Sequence, residues 1–248
     1  MRVRVIKTEK VTDKNNGLIN FVDKYIKKLE EKSVVVITSK IISILEGRIM
    51  RKEGIPKAEL IANESDRYLI YSNEYCHHDF TLSVKDNLLI PNAGIDESNA
   101  FEHYILWPND PYQTAKILWK YWRNKFRIKK LGVIITDSKT TPLRWGTTGV
   151  SIGYCGFDGL NNYIGKKDIF KKKMSVTKAN IADGLAAAAV VVMGEGKERT
   201  PIAIITEFEK IKFKKTATSK KERKKFSISM EEDIYSPLLL GVKWIEKN

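Results

Sequence analysis

Apolar and polar positions along this chain form blocks whose spacing predicts strands and helices in turn. Residues 2–6 alternate polar and apolar side chains, which predicts a strand. Apolar residues recur at helical spacing over residues 16–32 and predict an amphipathic helix. Residues 33–38 are almost continuously apolar, so we predict a strand whose sheet is covered on both faces.

The rest of the chain continues this alternation, but at irregular spacing. A short helical or turn segment is expected from Ser39 to Arg48. The further predicted elements are a helix and then mixed strands within 60–92, a helix over 110–127 with Pro111 in its first turn, a strand over 131–136, a long helix over 176–193 and a strand over 201–206. No G-x-G-x-x-G follows a strand, so the pattern favours an α+β fold of mixed sheets and packed helices. We interpret residues 1–248 as a single domain.

Composition excludes several classes of protein. The hydrophobic share of 42%, together with 15 glycines, is close to the globular average and argues against a disordered or fibrous chain. The longest apolar run, residues 185–193, is too short to span a bilayer, and no leader-like segment is apparent in residues 1–20. Two cysteines, Cys76 and Cys155, supply neither a disulfide framework nor a zinc quartet. We therefore expect a cytoplasmic protein with no membrane partner.

The charge is concentrated near the end of the chain. Lys and Arg exceed Asp and Glu by 44 − 30 = 14, and residues 210–225 contain nine basic residues against one acid, Glu222. A second cluster of basic residues lies within 120–130, interleaved with aromatic side chains. Such clusters attract nucleic acid, nucleotides, acidic substrates or anionic lipids. A solvated basic surface is the simpler interpretation, and a nucleic-acid partner is not expected.

Three polar segments follow apolar elements and are the candidates for chemistry. They are residues 92–99, residues 136–138 and residues 193–197, and each is also compatible with an ordinary turn or helix end. Together they offer carboxylate, amide and hydroxyl oxygens, which suit a hard cation such as Mg²⁺ or Mn²⁺. Such cations usually serve phosphates, for which Lys40 and Arg144 are possible cationic partners. A metal–nucleotide site is one hypothesis from these residues.

The same segments resemble the motifs of the coenzyme F-420 gamma-glutamyl ligase family. The most distinctive match is Ala93-Gly94-Ile95-Asp96-Glu97-Ser98-Asn99. The further matching segments, in family order between residues 3 and about 206, are Ser39-Lys40 with Ser43 and Glu46-Gly47-Arg48, residues 136–156, residues 176–189 and Met193-Gly194-Glu195-Gly196.

The resemblance implies a ligase that joins L-glutamate to an acidic acceptor through an amide bond, by way of an acyl phosphate. It implies GTP as co-substrate, two divalent cations (Mg²⁺ or Mn²⁺), K⁺ as a further candidate ion, and an intertwined homodimer. The implied metal ligands are Asp96, Asp137, Ser138 and Glu195. The implied nucleotide contacts are Thr38, Ser39, Lys40, Asn99, Met193, Gly194 and Gly196. Arg144 and Asp137 are the residues expected to act in catalysis.

Two departures from the family pattern leave the acceptor open. Thr141 stands where the family often has an arginine, which removes one bidentate anion contact and makes a folate-like acceptor an alternative to the coenzyme F-420 precursor. The basic stretch 210–225 is also unlike a typical family terminus. A degenerate, non-enzymatic relative that binds nucleic acid or an acidic partner through this stretch is the alternative. That alternative predicts the loss of site carboxylates, but Asp96, Asp137 and Glu195 are all present.

Overall fold

The computed structural model describes residues 1–12, 17–70 and 80–247, and within them the chain is an α+β protein. The strands are β1 (Arg2–Ile6), β2 (Ser33–Thr38), β3 (Ile49–Arg51), β4 (Arg67–Tyr68), β5 (Leu82–Lys85), β6 (Leu88–Pro91), β7 (His103–Ile105), β8 (Leu131–Thr140), β9 (Thr147–Cys155), β10 (Leu160–Asn162), β11 (Lys178–Asn180), β12 (Ile202–Thr206) and β13 (Ile245–Glu246). The helices are α1 (Leu18–Tyr25), α2 (Ser39–Glu46), α3 (Lys57–Glu64), α4 (Pro111–Phe126), α5 (Ile181–Met193), α6 (Lys220–Phe226) and α7 (Ser236–Leu239).

The central sheet has five strands in the order β1-β12-β2-β8-β9. Only the β2–β8 pair is parallel, and the other neighbours run antiparallel. Val35 and Ile37 of β2 face one hydrophobic cluster, while Val34 and Val36 face another. Both faces of the strand are therefore buried, which confirms the prediction from its continuous apolar run.

Helices cover the two faces of this sheet. Residues of α1, α2 and α4 share the first cluster, and α5 supplies most of the helical residues of the second. Gly149 of β9 allows the closest approach, because a Cβ there would lie 2.5 Å from the backbone oxygen of Ala186. The run of small residues in α5 thus packs against the sheet at backbone distance.

A second, antiparallel sheet has the order β13-β4-β5-β6 and lies beside α3. A smaller hydrophobic cluster forms here from α3, the turn after β6 and β7, with Leu60, Ile95 and Tyr104 among its members. This unit carries the Asp96 segment, whereas the central sheet carries Asp137. The site described below lies between the two.

Several predicted boundaries were wrong. The first helix ends at Tyr25, because the backbone of Ile26 is extended and directs the chain toward β2; Asn16 lies outside the described residues. The last long helix begins only at Ile181, since Asn180 caps it by accepting a hydrogen bond from the Asp183 N–H at 3.0 Å. Residues before it pair as β11 instead.

The strand after α4 is longer than predicted, and this changes the setting of one candidate residue. The strand predicted over 131–136 ends before Asp137 and Ser138, but β8 continues through both residues to Thr140. A register shift between Ile135 and Thr136 marks a bulge in the β8–β9 ladder. Bulges re-aim side chains and are common beside functional sites.

The basic stretch 210–225 is a packed part of the structure. Ile211 is buried, and the ring of Phe226 lies 5.2 Å from that of Tyr154. Backbone N–H groups of Asp158 and Lys214 bond to carbonyl groups across the junction at 2.9 and 2.8 Å. The stretch ends in α6, whose exposed lysines are Lys220, Lys221, Lys224 and Lys225.

Two expectations from composition have structural outcomes. Within the described ranges, no helix combines the length and the apolar character that a bilayer span requires. Cys155 is a free, buried thiol in the first hydrophobic cluster, and burial raises the pKa of that thiol. Cys76 lies outside the described residues.

Candidate functional site

A cavity of about 1100 Å³ opens between the central sheet and the unit that carries the second sheet. Segments far apart in the sequence meet here: the end of β2, the turn after β6, the middle of β8 and the turn after α5. The predicted site residues that line it are Thr38, Lys40, Asp96, Asn99, Asp137, Ser138, Met193, Gly194, Glu195 and Gly196.

Lys40 lies in the first turn of α2, directly after the buried strand β2. Its ammonium group is 2.6 Å from Asp96 Oδ2 and donates to Ser98 Oγ at 2.8 Å. The side chains of Lys40 and Asp96 are 24% and 34% exposed, so the pair faces the cavity without being sealed from water. Lys40 and Ile41 of the first turn of α2 both line the cavity, and the start of a helix favours a bound phosphate.

The segment before Asp96 makes an unusual turn. Asn92, Ala93 and Gly94 all have positive φ, between 53° and 71°. The conformation is held because the Asn92 side chain accepts a hydrogen bond from Thr81 N–H at 2.8 Å, and Ser83 Oγ accepts one from Ala93 N–H at 2.7 Å. Positive φ costs about 1–2 kcal/mol for a residue with a side chain, and such strain clusters at functional sites. The turn delivers Asp96 to the cavity.

Asp137 occupies the back of the cavity on β8. Its Oδ2 accepts a hydrogen bond from the indole Nε1–H of Trp107, and its Oδ1 accepts one from Ser138 N–H at 2.9 Å. Burial raises the pKa of Asp137 to about 6, and nearby Asp96 adds to that rise, while the two N–H donors and Lys40 oppose it. Asp137 and Asp96 are therefore close enough to repel each other.

The turn after α5 closes another side of the cavity. Glu195 Oε1 accepts a hydrogen bond from Ser138 Oγ at 2.7 Å, which links this turn to β8. Asn99 donates to the backbone oxygen of Gly196 at 3.3 Å and so links the turn to the Asp96 segment. Gly194 has a φ of 77°, and a Cβ there would meet Glu198.

Two predicted residues do not line the cavity. Ser39, the first residue of α2, is buried. Arg144 and its neighbour Thr141 are exposed at the tip of the β8–β9 hairpin, although Thr140 and Thr147 at the base of that tip do line the cavity. The roles expected of Ser39 and Arg144 remain predictions.

The oxygen donors suit a hard cation, but they are not assembled into a cluster. Across residues 1–12, 17–70 and 80–247, no three His, Cys, Asp or Glu side chains converge in a way that could hold a metal ion. Asp96 is engaged by Lys40, and Glu195 by Ser138. Asp96 and Asp137 both line the cavity, so their two carboxylates would favour an added positive charge. These residues fit Mg²⁺ or Mn²⁺ in donor type and charge.

Sequence reasoning missed some residues of the site. Trp107 is one of them, because nothing in its sequence context reveals its contact with Asp137, thirty positions away. Glu198 also lines the cavity and accepts a hydrogen bond from Gly196 N–H at 2.8 Å. Its position three residues after Glu195 was the available signal. Thr8–Val11, beyond β1, line the cavity without any sequence signal.

The chain is similar in sequence to one family of known proteins. The family model described as F420-0:Gamma-glutamyl ligase matches residues 5–207. A coenzyme F420:L-glutamate ligase of Methanococcus maripaludis strain C6 is 32% identical over 235 residues, which cover 88% of this chain and 90% of that protein. The proteins of the same name from Methanocaldococcus jannaschii and Methanopyrus kandleri are 31% and 32% identical and cover 71% of this chain. The matched regions span 76% and 75% of the lengths of those two proteins, respectively.

Proposed function

We propose, because this chain belongs to the F420-0:Gamma-glutamyl ligase family, that it is an enzyme which joins L-glutamate by an amide bond to a carboxylate-bearing acceptor. The proposed co-substrate is GTP, and the proposed cations are two Mg²⁺ or Mn²⁺ ions. The acceptor is a coenzyme F-420 precursor or a folate-like molecule. K⁺ is a further candidate ion without an assigned ligand.

One observation carries the proposal. Three carboxylates from separate segments, Asp96, Asp137 and Glu195, face a single cavity that is also lined by Lys40. The cavity is large enough for a nucleotide and a second substrate to meet, since ligand sites are commonly about 300–1,000 Å³. Such a convergence of oxygen donors with a cation is what phosphoryl transfer to a carboxylate requires.

The proposed reaction has two steps. An oxygen of the acceptor carboxylate forms a bond to the γ-phosphorus of GTP, the bond from that phosphorus to the β–γ bridging oxygen breaks, and GDP leaves. The glutamate amine then forms a C–N bond to the acyl carbon, the C–O bond to phosphate breaks, and the amine loses a proton. Phosphorylation is needed because a carboxylate is a poor electrophile, whereas an acyl phosphate has a good leaving group.

The chain's own residues would position the nucleotide. Lys40 and the N–H groups at the start of α2 would contact its phosphates, because an ammonium group and the N–H groups of a helix start both favour a phosphate. Asn99 and the turn 193–196 would contact it from the opposite side of the cavity. Bound divalent cations would neutralise charge on the phosphoryl group being transferred. Asp96, Asp137, Ser138 and Glu195 would hold them.

We assign acceptor binding to Arg144, within a proposed homodimer. Leu143 and Trp145 beside it are fully exposed, which leaves an apolar hairpin tip at the rim of the cavity.

Sedimentation analysis tests the dimer. Mixing refolded Arg144→Ala and Asp137→Asn chains tests where Arg144 acts: activity recovered in mixed dimers places it in the partner's cavity, and no recovery places it in its own.

A single reaction mixture tests the proposed activity. The full chain is incubated with GTP, Mn²⁺, L-glutamate and either the coenzyme F-420 precursor or folate, and products are analysed by mass spectrometry. We expect one acceptor to gain glutamate, with one GDP formed per amide bond. A heavy-oxygen label on the acceptor carboxylate should appear in the released phosphate. ATP in place of GTP is the matched control for nucleotide choice.

The alternative of a degenerate binding protein makes the opposite prediction. It requires no glutamate addition with any acceptor and binding through residues 210–225. The intact carboxylates speak against it, and so does the packing of the basic stretch against β9 and its neighbours. Absence of turnover together with tight nucleic-acid binding would favour it.

A further inference from the structure

Behind the cavity wall, Trp107 connects Asp137 to the interior of the protein. The indole is only 2% exposed, and its Nε1–H donates to Asp137 Oδ2. The other carboxylate oxygen accepts a hydrogen bond from Ser138 N–H. Each oxygen therefore has one fixed donor, and each keeps acceptor capacity for a group in the cavity.

A partly buried ion-pair network contacts Trp107 from behind. Arg48 Nε–H donates to the backbone oxygen of Trp107 at 3.0 Å, and its terminal nitrogen donates to both oxygens of Glu64 at 2.8 Å. Lys85 donates to Glu64 at 2.5 Å, and its ammonium lies 5.6 Å from the centre of the Trp107 ring. Neither the backbone nor the ring of Trp107 can move without disturbing these charges.

Gly94 closes the opposite side of the indole. A Cβ at this position would lie 2.1 Å from Trp107 Nε1, so no residue with a side chain fits there without displacing the ring. Gly94 belongs to the left-handed turn that delivers Asp96. The same indole therefore fixes Asp137 directly and is packed against the backbone that carries Asp96.

We propose that Trp107 is a positioning residue, which holds the Asp137 carboxylate in its cation-binding orientation before any cation arrives. The inference rests on the proposed function, in which Asp137 is a metal ligand. A carboxylate fixed in advance loses less freedom on binding, and outer partners of this kind typically change metal affinity by about 10- to 100-fold when removed. A residue that only fills the core would change stability and leave metal affinity unaltered.

The chain offers a matched control. Trp119 is also buried, donates its Nε1–H to the backbone oxygen of Leu131 at 2.9 Å, and packs against Gly156, where a Cβ would lie 2.1 Å from its nitrogen. Trp107→Phe and Trp119→Phe each remove one buried indole N–H beside a glycine. They differ in the partner, which is a site carboxylate in one case and a core carbonyl in the other.

The test measures Mn²⁺ binding to the full chain from the electron paramagnetic resonance signal of free Mn²⁺, without substrates. We expect Trp107→Phe to weaken binding by about tenfold and Trp119→Phe to change it less than twofold. Equal affinities in the two variants would overturn the proposal. The Asp137→Asn variant distinguishes a failure of the proposed function from a failure of this inference. If Asp137→Asn does not weaken Mn²⁺ binding, then both the assignment of Asp137 as a metal ligand and the positioning role of Trp107 are wrong. If Asp137→Asn weakens Mn²⁺ binding but Trp107→Phe does not, only the positioning role of Trp107 is wrong.

A second measurement covers the case in which Trp107→Phe does not fold. The wild-type chain is labelled with fluorotryptophan, and its fluorine resonances are followed as Mn²⁺ is added. Because Trp107 touches Asp137, its resonance should broaden at the lowest Mn²⁺ concentration, ahead of Trp119. Simultaneous broadening of both resonances contradicts the proposed contact between Trp107 and the cation site.

Discussion

Lys40 and Asp96 form a 2.6 Å ion pair across the cavity, between the first turn of α2 and the loop after β6. The ammonium neutralises a carboxylate that the proposed reaction assigns to a cation. In the proposed reaction Lys40 would have two competing partners, Asp96 before GTP binds and a phosphate of GTP afterwards. Exchange between them would couple metal binding to nucleotide binding.

We predict that Lys40→Ala has opposite effects on the two ligands. Without nucleotide, Mn²⁺ should bind more tightly, because the competing ammonium is gone. The KM for GTP should rise by about 10- to 100-fold, since a hydrogen bond to a charged group is worth roughly 1.5–3 kcal/mol. Mn²⁺ titration and steady-state kinetics measure the two. The control is Lys52→Ala, which unpairs Glu97 from one of its two lysines. Weaker Mn²⁺ binding in Lys40→Ala would contradict the competition.

Asp137→Asn should remove turnover while the fold persists. Asparagine has nearly the same shape and can still accept the hydrogen bond from Trp107, but it carries no charge for a cation. We expect kcat to fall by about a thousandfold, because a bound cation contributes several kcal/mol and ~1.4 kcal/mol equals one decade. Asp158→Asn, outside the cavity, is the control. Near-normal activity of Asp137→Asn at moderate Mn²⁺ would remove this residue from the ligand set.

Glu64→Gln should destabilise the protein in a pH-dependent way. Burial alone would raise the pKa of Glu64, but hydrogen bonds from Lys85 and Arg48 outweigh it and hold that pKa below its ordinary value of 4.5. A lowered folded-state pKa contributes stability above the unfolded pKa and loses it as the pH falls through the folded one. The variant should be less stable by about 1–3 kcal/mol at pH 7, since it leaves two partly buried cations without their carboxylate.

The difference between Glu64→Gln and the wild type should narrow as the pH falls from the unfolded-state pKa of glutamate, about 4.3, through the lowered folded-state pKa of Glu64. Urea unfolding of both proteins at neutral and acidic pH measures this difference in the free energy of unfolding. Glu53→Gln, at an exposed position, should show no comparable loss. A difference that stays constant with pH would show that the charge of Glu64 is not what stabilises the network.

Gly149 of β9, which packs against α5, and Gly184 on the exposed side of α5 should respond in opposite directions to alanine. Gly149→Ala would place a Cβ 2.5 Å from the Ala186 oxygen, and overpacking of this kind costs about 1–3 kcal/mol. Gly184 lies within α5 with nothing within 4 Å of a new Cβ, so alanine should stabilise by about 0.5–1 kcal/mol. Thermal unfolding measures both. A loss of stability in Gly184→Ala would contradict the open surroundings of that position.

In the basic stretch 210–225, we expect packing to contribute to the stability of the protein and the lysine charges to contribute little. Replacing Lys220, Lys221, Lys224 and Lys225 by Gln should leave both stability and GTP turnover nearly unchanged, because these side chains are exposed on α6. Ile211→Ala should cost about 2–3 kcal/mol, because it removes a buried side chain. Deletion of 210–225 should therefore destabilise the protein. A fully stable deletion would show that the packing contributes little.

The sequence by itself determined the elements and the chemistry available to them. The continuous apolar run of β2 reports burial on both faces, and Pro111 after Asp110 marks the start of α4, because these signals depend only on neighbours along the chain. The motifs around Asp96, Asp137 and Glu195 were recognisable for the same reason. Each is a short segment whose residue types are fixed in order.

Only the tertiary structure decided how these segments act on one another. Whether β8 ends at Thr136 or continues to Thr140 depends on its pairing with β9, and the packing of residues 210–225 depends on the surface left by β9 and α4. The contacts of Lys40 with Asp96 and of Trp107 with Asp137 join residues 56 and 30 positions apart. Local periodicity carries no information on such distances, because chain folding brings these segments together through the burial of other residues.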